Sequence, residues 1–428
     1  MRVGMVLDWW MHATSLVNLS KNMFRELGLL MNKQKDFTIS GIRFNSIKIG
    51  NINQHYDIIH IPNMGGYRFP DLSILNCKNI ILSPSGIDEV VLGREVFKSD
   101  ADWQKYKPII KSEIQKWKKY HKYIKYVHVV TNSEKNDMML HFDIPEEKFV
   151  IVPHGVDHVL FSPPLNKEQT RKNILSKFYL SDNPYFIHVS ESNWARKNIF
   201  NIFTAFEKAK KNGLIQNLII VGKNDSIVYE KAKKIPGIIV LGFIDQKHLV
   251  EFLQGADAMI LPSKHEGFGL PLLEAMACGT PSITSTTFSP PEVVGDSGIL
   301  VDPYDVSSIT EEILRMGNDE NLRHKLSQKA LIRSKNYSWS KTAEGLYNLY
   351  QKTFPENSPN FDHDYNISAL RTLTTIFETD NALYNLAVRD LLKLDFSKMI
   401  NWIIQVGIEK ESTRDFILPF ENWYKNRV

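Results

Sequence analysis

The chain has 428 residues, of which 43% are hydrophobic and 23% are charged. These fractions are typical of soluble globular proteins and exclude a disordered chain, a collagen-like fibre and a coiled-coil rod. The formal net charge of +4 is too small to indicate a nucleic-acid-binding protein. At about 150 residues per domain, the length predicts two or three domains.

The cysteine content and the N-terminus predict a cytoplasmic location. The two cysteines, Cys77 and Cys278, are too few for a disulfide framework and fit a reducing compartment. The apolar run in residues 3–7 is too short for a signal peptide. No stretch approaches the roughly 18 apolar residues of a spanning helix. We therefore expect a cytoplasmic chain, at most peripheral on the inner face of a membrane.

Strand-like and helical patterns alternate along the chain, which predicts parallel α/β sheets. A first set precedes the Pro163-Pro164 break and a second set follows it. The predicted strands are residues 3–7, 57–61, 79–82, 127–131 and 150–152, then 185–189, 218–221, 238–241, 258–261 and 282–284. Helices are predicted at residues 15–30, 199–210 and 248–254.

Two successive α/β sets predict two doubly wound domains, residues 1–165 and 166–337, which face each other across a cleft. In such sheets ligands bind beyond the carboxyl ends of the strands, so we expect the functional site in that cleft. The segment 355–360 reads as a linker. Residues 355–428 read as a helical extension that could cover the other domains, form an oligomer or bind a partner.

Residues 105–125 contain eight lysines and a single acid, Glu113. Apolar residues repeat at three and four positions over residues 106–127, which predicts an amphipathic helix with lysines on its outer face. Two interpretations stay open. The helix lies on an anionic membrane surface, or it packs on the core and leaves a solvated lysine face.

Residues 262–279 carry the strongest chemical pattern in the chain. A Gly-Phe-Gly loop follows a predicted strand, Pro271 suits the first turn of a helix, and Gly279 suits its end. The free N–H groups of such a helix start favour an anion such as a diphosphate. Glu266 and Glu274 flank this position and would accept hydrogen bonds from hydroxyls, a combination that describes a nucleotide sugar. The alternative is an ordinary strand–loop–helix with two surface glutamates.

These residues resemble a known family. The two glutamates with seven residues between them, Gly279-Thr280-Pro281 and the stretch from Pro290 to Pro303 are similar to retaining glycosyltransferases of family 4. Residues 131–134, 150–157 and 161–163 resemble that family's interdomain region. The resemblance implies the GT-B fold, with two Rossmann-like domains and a closing helix, residues 338–354, that crosses back onto the first domain.

The resemblance also implies roles for individual residues. Glu266 would contact the donor sugar and Glu274 the ribose, and Arg196 and Lys197 would grip the phosphates. The remaining positions for diphosphate or base are Gly267, Phe268, Gly269, Leu270, Gly222, Phe243 and Ile244. The implied reaction is metal-independent and retaining, from a GDP- or UDP-linked sugar to a glycan or lipid-linked acceptor, without a further cofactor.

The sequence departs from the family pattern at three places. Glu191 stands where an arginine is common, the N-terminal glycine-rich loop is missing, and no histidine follows residues 79–82. His12 or Ser85 would replace that cleft histidine. Two other classes therefore stay open, an epimerase of nucleotide sugars and a catalytically silent sugar-nucleotide-binding subunit. Asp362-His363-Asp364 has metal-ligand spacing but reads as a solvated acidic patch.

Overall fold

The computed structural model describes residues 1–6, 14–34, 36–42, 56–62, 66–70, 79–189 and 193–354. The predicted extension 355–428, which includes Asp362-His363-Asp364, lies outside these described residues. His12, Cys77 and Glu191 lie outside them as well.

The first sheet is parallel and has six strands in the order β2-β1-β3-β4-β5-β6. Near-continuous apolar runs such as Ile58–Ile61 form these strands because helices cover both faces of a parallel sheet. The bounds are β1 Arg2–Val6, β2 Thr38–Ile42, β3 Ile58–Ile61, β4 Ile80–Leu82, β5 Tyr126–Val129 and β6 Phe149–Ile151.

The second sheet is also parallel and six-stranded, in the order β12-β11-β10-β7-β8-β9. Its strands are β7 Tyr185–Val189, β8 Asn217–Val221, β9 Ile238–Gly242, β10 Ala258–Leu261, β11 Ser282–Ser285 and β12 Gly298–Val301. The predicted fold class, two doubly wound α/β domains, is therefore confirmed. The sequence patterns missed β2 and β12.

Helices flank both sheets. Those before residue 180 are Thr14–Gln34, Asp88–Val91, Asp100–Tyr120, Asn132–Phe142 and Lys167–Lys177. Those after it are Ile199–Lys211, Ser226–Ala232, Gln246–Gly255, Leu270–Ala277, Pro290–Val294, Val306–Asn318, Glu320–Ser334 and Trp339–Thr353. Short 3₁₀ turns occupy Gly93–Val96, His121–Tyr123, Glu146–Lys148 and Gly295–Ser297. No helix in the described part of the chain is long and apolar enough to span a bilayer.

The lysine-rich helix begins and ends earlier than predicted. It spans Asp100–Tyr120, and Val127, which the pattern placed in the same helix, lies in β5. Its apolar face packs on the core of the first domain, where Trp117 is fully buried and donates a hydrogen bond to the carbonyl oxygen of Tyr67 over 2.8 Å. The lysines at 105, 107, 111, 118, 119, 122 and 125 are exposed.

The last described helix, Trp339–Thr353, packs on the first sheet rather than on the second. Its buried residues Trp339, Leu346 and Tyr350 share a core with Met1 and Met5. Gly155 makes the crossing possible, because a Cβ at that position would lie 2.2 Å from the backbone nitrogen of Trp339.

A buried chain of hydrogen bonds ties this helix to the centre of the first sheet. His128 Nε2 must donate to the carbonyl oxygen of Val152, so its Nδ1 accepts from the Ser83 hydroxyl. Ser83 in turn accepts from His60 Nε2, and His60 Nδ1 accepts from the Tyr350 hydroxyl. One direction therefore satisfies every group while both histidines stay neutral.

Candidate functional site

The candidate site lies where the order of the second sheet reverses. Strands β8 and β9 follow on one side of β7, and β11 and β12 lie beyond β10 on the other. Adjacent strands β7 and β10 therefore send their following loops in opposite directions, which leaves a crevice at their carboxyl ends. The loop after β7 carries Arg196 and Lys197, and the loop after β10 carries Glu266.

Glu266 is buried and is held by both basic side chains. Its Oε1 accepts a hydrogen bond from Lys197 Nζ over 2.7 Å, and its Oε2 lies 3.3 Å from Arg196 Nη1. Burial alone would raise the pKa of the Glu266 carboxyl, but the charges of Lys197 and Arg196 outweigh burial and lower it to about 2. Three residues predicted from sequence to act together thus form one ionic cluster.

The basic pair is positioned by the residue that follows it. Asn198 has a left-handed backbone conformation with φ of 60° and its side chain is buried. The Asn198 amide donates to the carbonyl oxygen of Pro262, 3.0 Å away, at the end of β10. The two loops of the crevice are therefore joined directly beside the cationic side chains.

The helix Leu270–Ala277 begins and ends as its sequence predicts. Gly269 is the N-terminal cap with φ of 97°, and Pro271 lies in the first turn. At the other end Gly279 has φ of 77°, and the N–H of Thr280 bonds to the carbonyl oxygen of Ala275 over 2.8 Å. This is the pattern of a Schellman motif. The start of this helix therefore follows the loop that carries Glu266, and backbone N–H groups at a helix start are suited to bind an anion.

Glu274 lies in the second turn of that helix and is half-buried. No basic side chain among the described residues forms an ion pair with it. Burial raises the pKa of the Glu274 carboxyl to about 8, so the group is mostly protonated at neutral pH. The two glutamates of the motif thus differ, because Glu266 is ionised and Glu274 holds its proton.

The remaining predicted positions lie at the ends of β8 and β9. Gly222 is buried with φ of 117°, and its N–H donates to the carbonyl oxygen of Gly242. Phe243 is 76% exposed, and Ile244 is half-buried against the core. No hydrogen bond or ion pair within the described residues links these three positions to the Glu266 cluster.

The cleft is closed from the other side by the first domain. Ser85 and Gly86 follow β4, and a Cβ on Gly267 would lie 3.2 Å from Gly86 Cα. Asp88 Oδ2 lies 3.2 Å from Arg196 Nε, and Glu95 Oε2 lies 3.2 Å from Lys264 Nζ. These contacts could not be predicted from local sequence patterns, because each joins residues more than 100 positions apart.

Two further groups border the site, although the sequence assigned no role to either of them. Glu134 is buried on the first domain, and its two carboxylate oxygens accept hydrogen bonds from the N–H groups of Gly86 and Val130. The Thr131-x-x-Glu134 spacing is that of a capping box, which is the signal that could have found it. His265 is also buried, and neither ring nitrogen has a hydrogen-bond partner among the described residues.

Metal ligation has no support in the described part of the chain. No group of three or more histidine, cysteine, aspartate or glutamate side chains there could hold a metal ion. The chemistry available at the crevice is that of a carboxylate, two cations and a helix start.

The architecture of two facing parallel α/β domains defines the class as the GT-B fold. Solved structures share it at low sequence identity. The sucrose-phosphate synthase of Thermosynechococcus elongatus has a TM-score of 0.63 and 16% identity, covering 83% of this chain and 99% of that one. WaaG, described as a glycosyltransferase involved in lipopolysaccharide biosynthesis, has a TM-score of 0.61 and 14% identity, covering 83% and 100%.

Within the second domain, residues 170–333 match the family described as glycosyl transferases group 1. The O-antigen chain mannosyltransferase B of Escherichia coli is 31% identical over 185 residues, which are 42% of this chain and 48% of that protein. The MMP alpha-(1->4)-mannosyltransferase of Mycolicibacterium hassiacum is 28% identical over 272 residues, 60% and 62% of the two chains. The matches thus span about half to three fifths of these relatives' lengths.

Proposed function

We propose that this chain is a retaining glycosyltransferase of family 4 that transfers a sugar from a nucleoside-diphosphate donor to a glycan or lipid-linked acceptor. The observation that carries the proposal is the cluster of Glu266, Lys197 and Arg196 beside the start of the helix Leu270–Ala277. Anion-binding and hydroxyl-binding groups meet there, within the segment that matches glycosyl transferases group 1. We assign the donor side to residues 166–337 and the acceptor side to residues 1–165.

We further propose that the donated sugar is mannose. Two relatives, from Escherichia coli and Mycolicibacterium hassiacum, are named mannosyltransferases. Glu266 would accept hydrogen bonds from the sugar hydroxyls and Glu274 from the ribose. The backbone N–H groups of residues 267–270 would hold the diphosphate. Gly222, Phe243 and Ile244 would border the nucleotide, with the exposed ring of Phe243 free to stack on the base.

The proposed reaction proceeds on one face of the sugar and requires no metal ion. The bond between the anomeric carbon and the diphosphate oxygen breaks, and the acceptor oxygen bonds to the anomeric carbon on the same face. The proton of the acceptor hydroxyl passes to the departing phosphate oxygen. Lys197, Arg196 and the helix start at Gly269 would stabilise the charge that grows on that diphosphate.

Release of nucleoside diphosphate from a panel of GDP- and UDP-sugars, with and without glycan or lipid-linked acceptors, tests this proposal. We expect turnover with a mannosyl donor. The turnover rate should fall roughly 100-fold or more in Glu266→Gln and in Lys197→Ala. Lys211→Ala is the matched control because Lys211 forms an exposed pair with Glu207 far from the crevice. Nucleotide binding without turnover would instead identify a silent subunit, and an altered donor sugar without acceptor would identify an epimerase.

We propose that the first domain also contacts an anionic membrane surface through the lysines of residues 105–125. Because Trp117 is buried in the core, this contact would be electrostatic rather than by insertion. Flotation with vesicles of neutral lipid, and with vesicles containing phosphatidylglycerol, tests it at low and high salt. Binding only to the anionic vesicles and only at low salt is expected. Absence of binding at low salt would contradict it.

A further inference from the structure

The carbonyl oxygen of Gly267 is held by a chain of hydroxyls that begins in the other domain. Ser289 Oγ donates to the Gly267 carbonyl oxygen over 2.8 Å, and Thr131 Oγ1 lies 2.9 Å from Ser289 Oγ. Since a carbonyl only accepts, the Ser289 proton is used there, and Thr131 must be the donor to Ser289. Thr131 Oγ1 in turn accepts from the N–H of Glu134. The donor and the acceptor of every hydrogen bond in this series are therefore fixed.

The two hydroxyl-bearing residues of this series are buried. Thr131 is 3% exposed and Ser289 is 1% exposed. A buried hydroxyl that loses its partner costs more than an exposed one, because water cannot replace the bond. Moving Gly267 away from the first domain would therefore cost the free energy of these hydrogen bonds.

Glu134, in the first turn of the helix Asn132–Phe142, also holds Gly86, the residue of the first domain that faces Gly267. The Glu134 carboxylate accepts from the N–H of Gly86 over 3.0 Å, and Gly86 is the residue against which Gly267 packs. Glu134 thus fixes Gly86 through its side chain and Gly267 through its N–H, Thr131 and Ser289. A single turn of the chain, residues 131–134, locates both loops that meet across the cleft.

The second domain also binds residues 131–134 through a carboxylate. Glu292, three residues after Ser289, accepts hydrogen bonds from the N–H groups of Asn132 and Ser133 over 2.9 Å and 2.6 Å. A carboxylate is favourable at this point because the start of a helix carries partial positive charge. Ser289 is therefore held in register with Thr131 by a second, charge-assisted contact on the same short segment.

We infer that Thr131 and Ser289 are positioning residues that set the diphosphate-binding loop at Gly267 when the two domains meet. The inference rests on the proposed function only in taking residues 267–270 as the place where the diphosphate binds. Without the hydroxyl chain, the Gly267 carbonyl is free to rotate. The adjacent N–H groups of Phe268 and Gly269 then lose their fixed direction toward the anion.

The test measures the affinity of the full chain for GDP and UDP by titration calorimetry. Ser289→Ala removes the donor to Gly267, and Thr131→Val removes the donor to Ser289. Thr131→Ser keeps the hydroxyl. Ser327→Ala is the matched control, because Ser327 Oγ donates to the carbonyl oxygen of Gly279 at the far end of the same helix. Thermal unfolding of each variant confirms that it is folded.

We expect Ser289→Ala and Thr131→Val to weaken nucleotide binding by about 3- to 10-fold, the range for loss of one buried hydrogen bond. The affinity of the double variant should lie within about twofold of that of Ser289→Ala, because both residues act through one series of hydrogen bonds. Thr131→Ser and Ser327→Ala should bind like the unmodified chain. Unchanged affinity in folded Ser289→Ala, or equal losses in Ser327→Ala, would overturn the inference. Failure of the unmodified chain to bind either nucleotide would instead contradict the proposed function.

Discussion

Arg196 Nε lies 3.2 Å from Asp88 Oδ2, although the two residues belong to different domains. Arg196 Nη1 also donates to the carbonyl oxygen of His265, 3.0 Å away, and faces Glu266. The guanidinium is thus oriented from both sides of the cleft. No described residue accepts a hydrogen bond from Arg196 Nη2.

We predict that Asp88→Asn lowers kcat for sugar transfer because the guanidinium loses its alignment. We expect Asp88→Asn to lower kcat about 10-fold in the otherwise unmodified chain and less than about twofold in the Arg196→Lys variant. Steady-state kinetics of the four proteins gives this coupling. Glu95→Gln is the control, since it removes the cross-domain pair with Lys264 without touching Arg196. Equal effects of Asp88→Asn in both backgrounds would argue against an action through Arg196.

Gly155→Ala should destabilise the fold where the last helix crosses to the first sheet. The new Cβ would lie 2.2 Å from Trp339 N and 2.3 Å from Ser338 C, both backbone atoms. We expect a loss of about 1–3 kcal/mol in the free energy of unfolding, measured in urea. Gly28→Ala, with open space around its Cβ in the helix Thr14–Gln34, should instead gain about 0.5–1 kcal/mol. Similar values for both variants would show that the backbone adjusts at Gly155.

Buried histidines should make the fold sensitive to acid. Burial lowers the pKa of His128 and His188 to about 4 and that of His154 to about 3, and it lowers the pKa of His60 well below 6.5. Between these values and pH 6.5 the unfolded chain binds more protons than the folded one, so stability falls as pH falls through this range. Thermal unfolding at pH 5 and pH 6.5 should show it, and a flat profile would contradict it.

Three carboxyl groups act in the opposite sense. The pKa values of Glu89 and Glu134 are raised to about 7 and that of Glu274 to about 8, mainly by burial. The folded chain keeps protons that the unfolded chain has lost above pH 4.5, so this contribution to stability declines as pH rises toward 8. Four histidines outweigh three glutamates only below about pH 6, so maximum stability is expected at about pH 6. Glu274→Gln should flatten the decline between pH 6.5 and pH 8.

Nucleotide binding should release a proton from Glu274. Ribose hydroxyls that donate to its carboxylate would favour the ionised form and lower its pKa from about 8. Calorimetry of GDP or UDP binding at pH 7 in buffers of different ionisation enthalpy measures the release directly. Glu274→Gln has no proton to release, so its binding enthalpy should not depend on the buffer. Buffer-independent enthalpy in the unmodified chain would argue against a hydroxyl contact.

Local signals were sufficient for five of the six strands of the second sheet and for the helix at its switch point. Pro271 and Gly279 marked both ends of the helix Leu270–Ala277, since a missing N–H and a positive φ each fit one position only. The strand Thr38–Ile42 was not predicted because Ser40 and Gly41 interrupt its apolar run. There, pairing with β1 along the whole strand outweighs the weak intrinsic preference.

Contacts across the cleft could not be predicted in the same way. Ser289 and Glu292 look like ordinary polar residues around a short helix, and nothing local indicates that their partners are Thr131 and Asn132. Periodicity identified the apolar side of the lysine-rich helix but not its neighbour. Whether Trp117 faced lipid or core depended on Tyr67, fifty residues upstream.

The crossing of the last described helix has a consequence for the order of folding during synthesis. The strand Arg2–Val6 leaves the ribosome long before the helix Trp339–Thr353, yet Met1, Val3 and Met5 share their core with Leu346 and Tyr350. Apolar surface of the first domain therefore stays uncovered until synthesis has passed Tyr350. The second domain, whose sheet begins at Tyr185, can complete its own core before the first domain has completed its own.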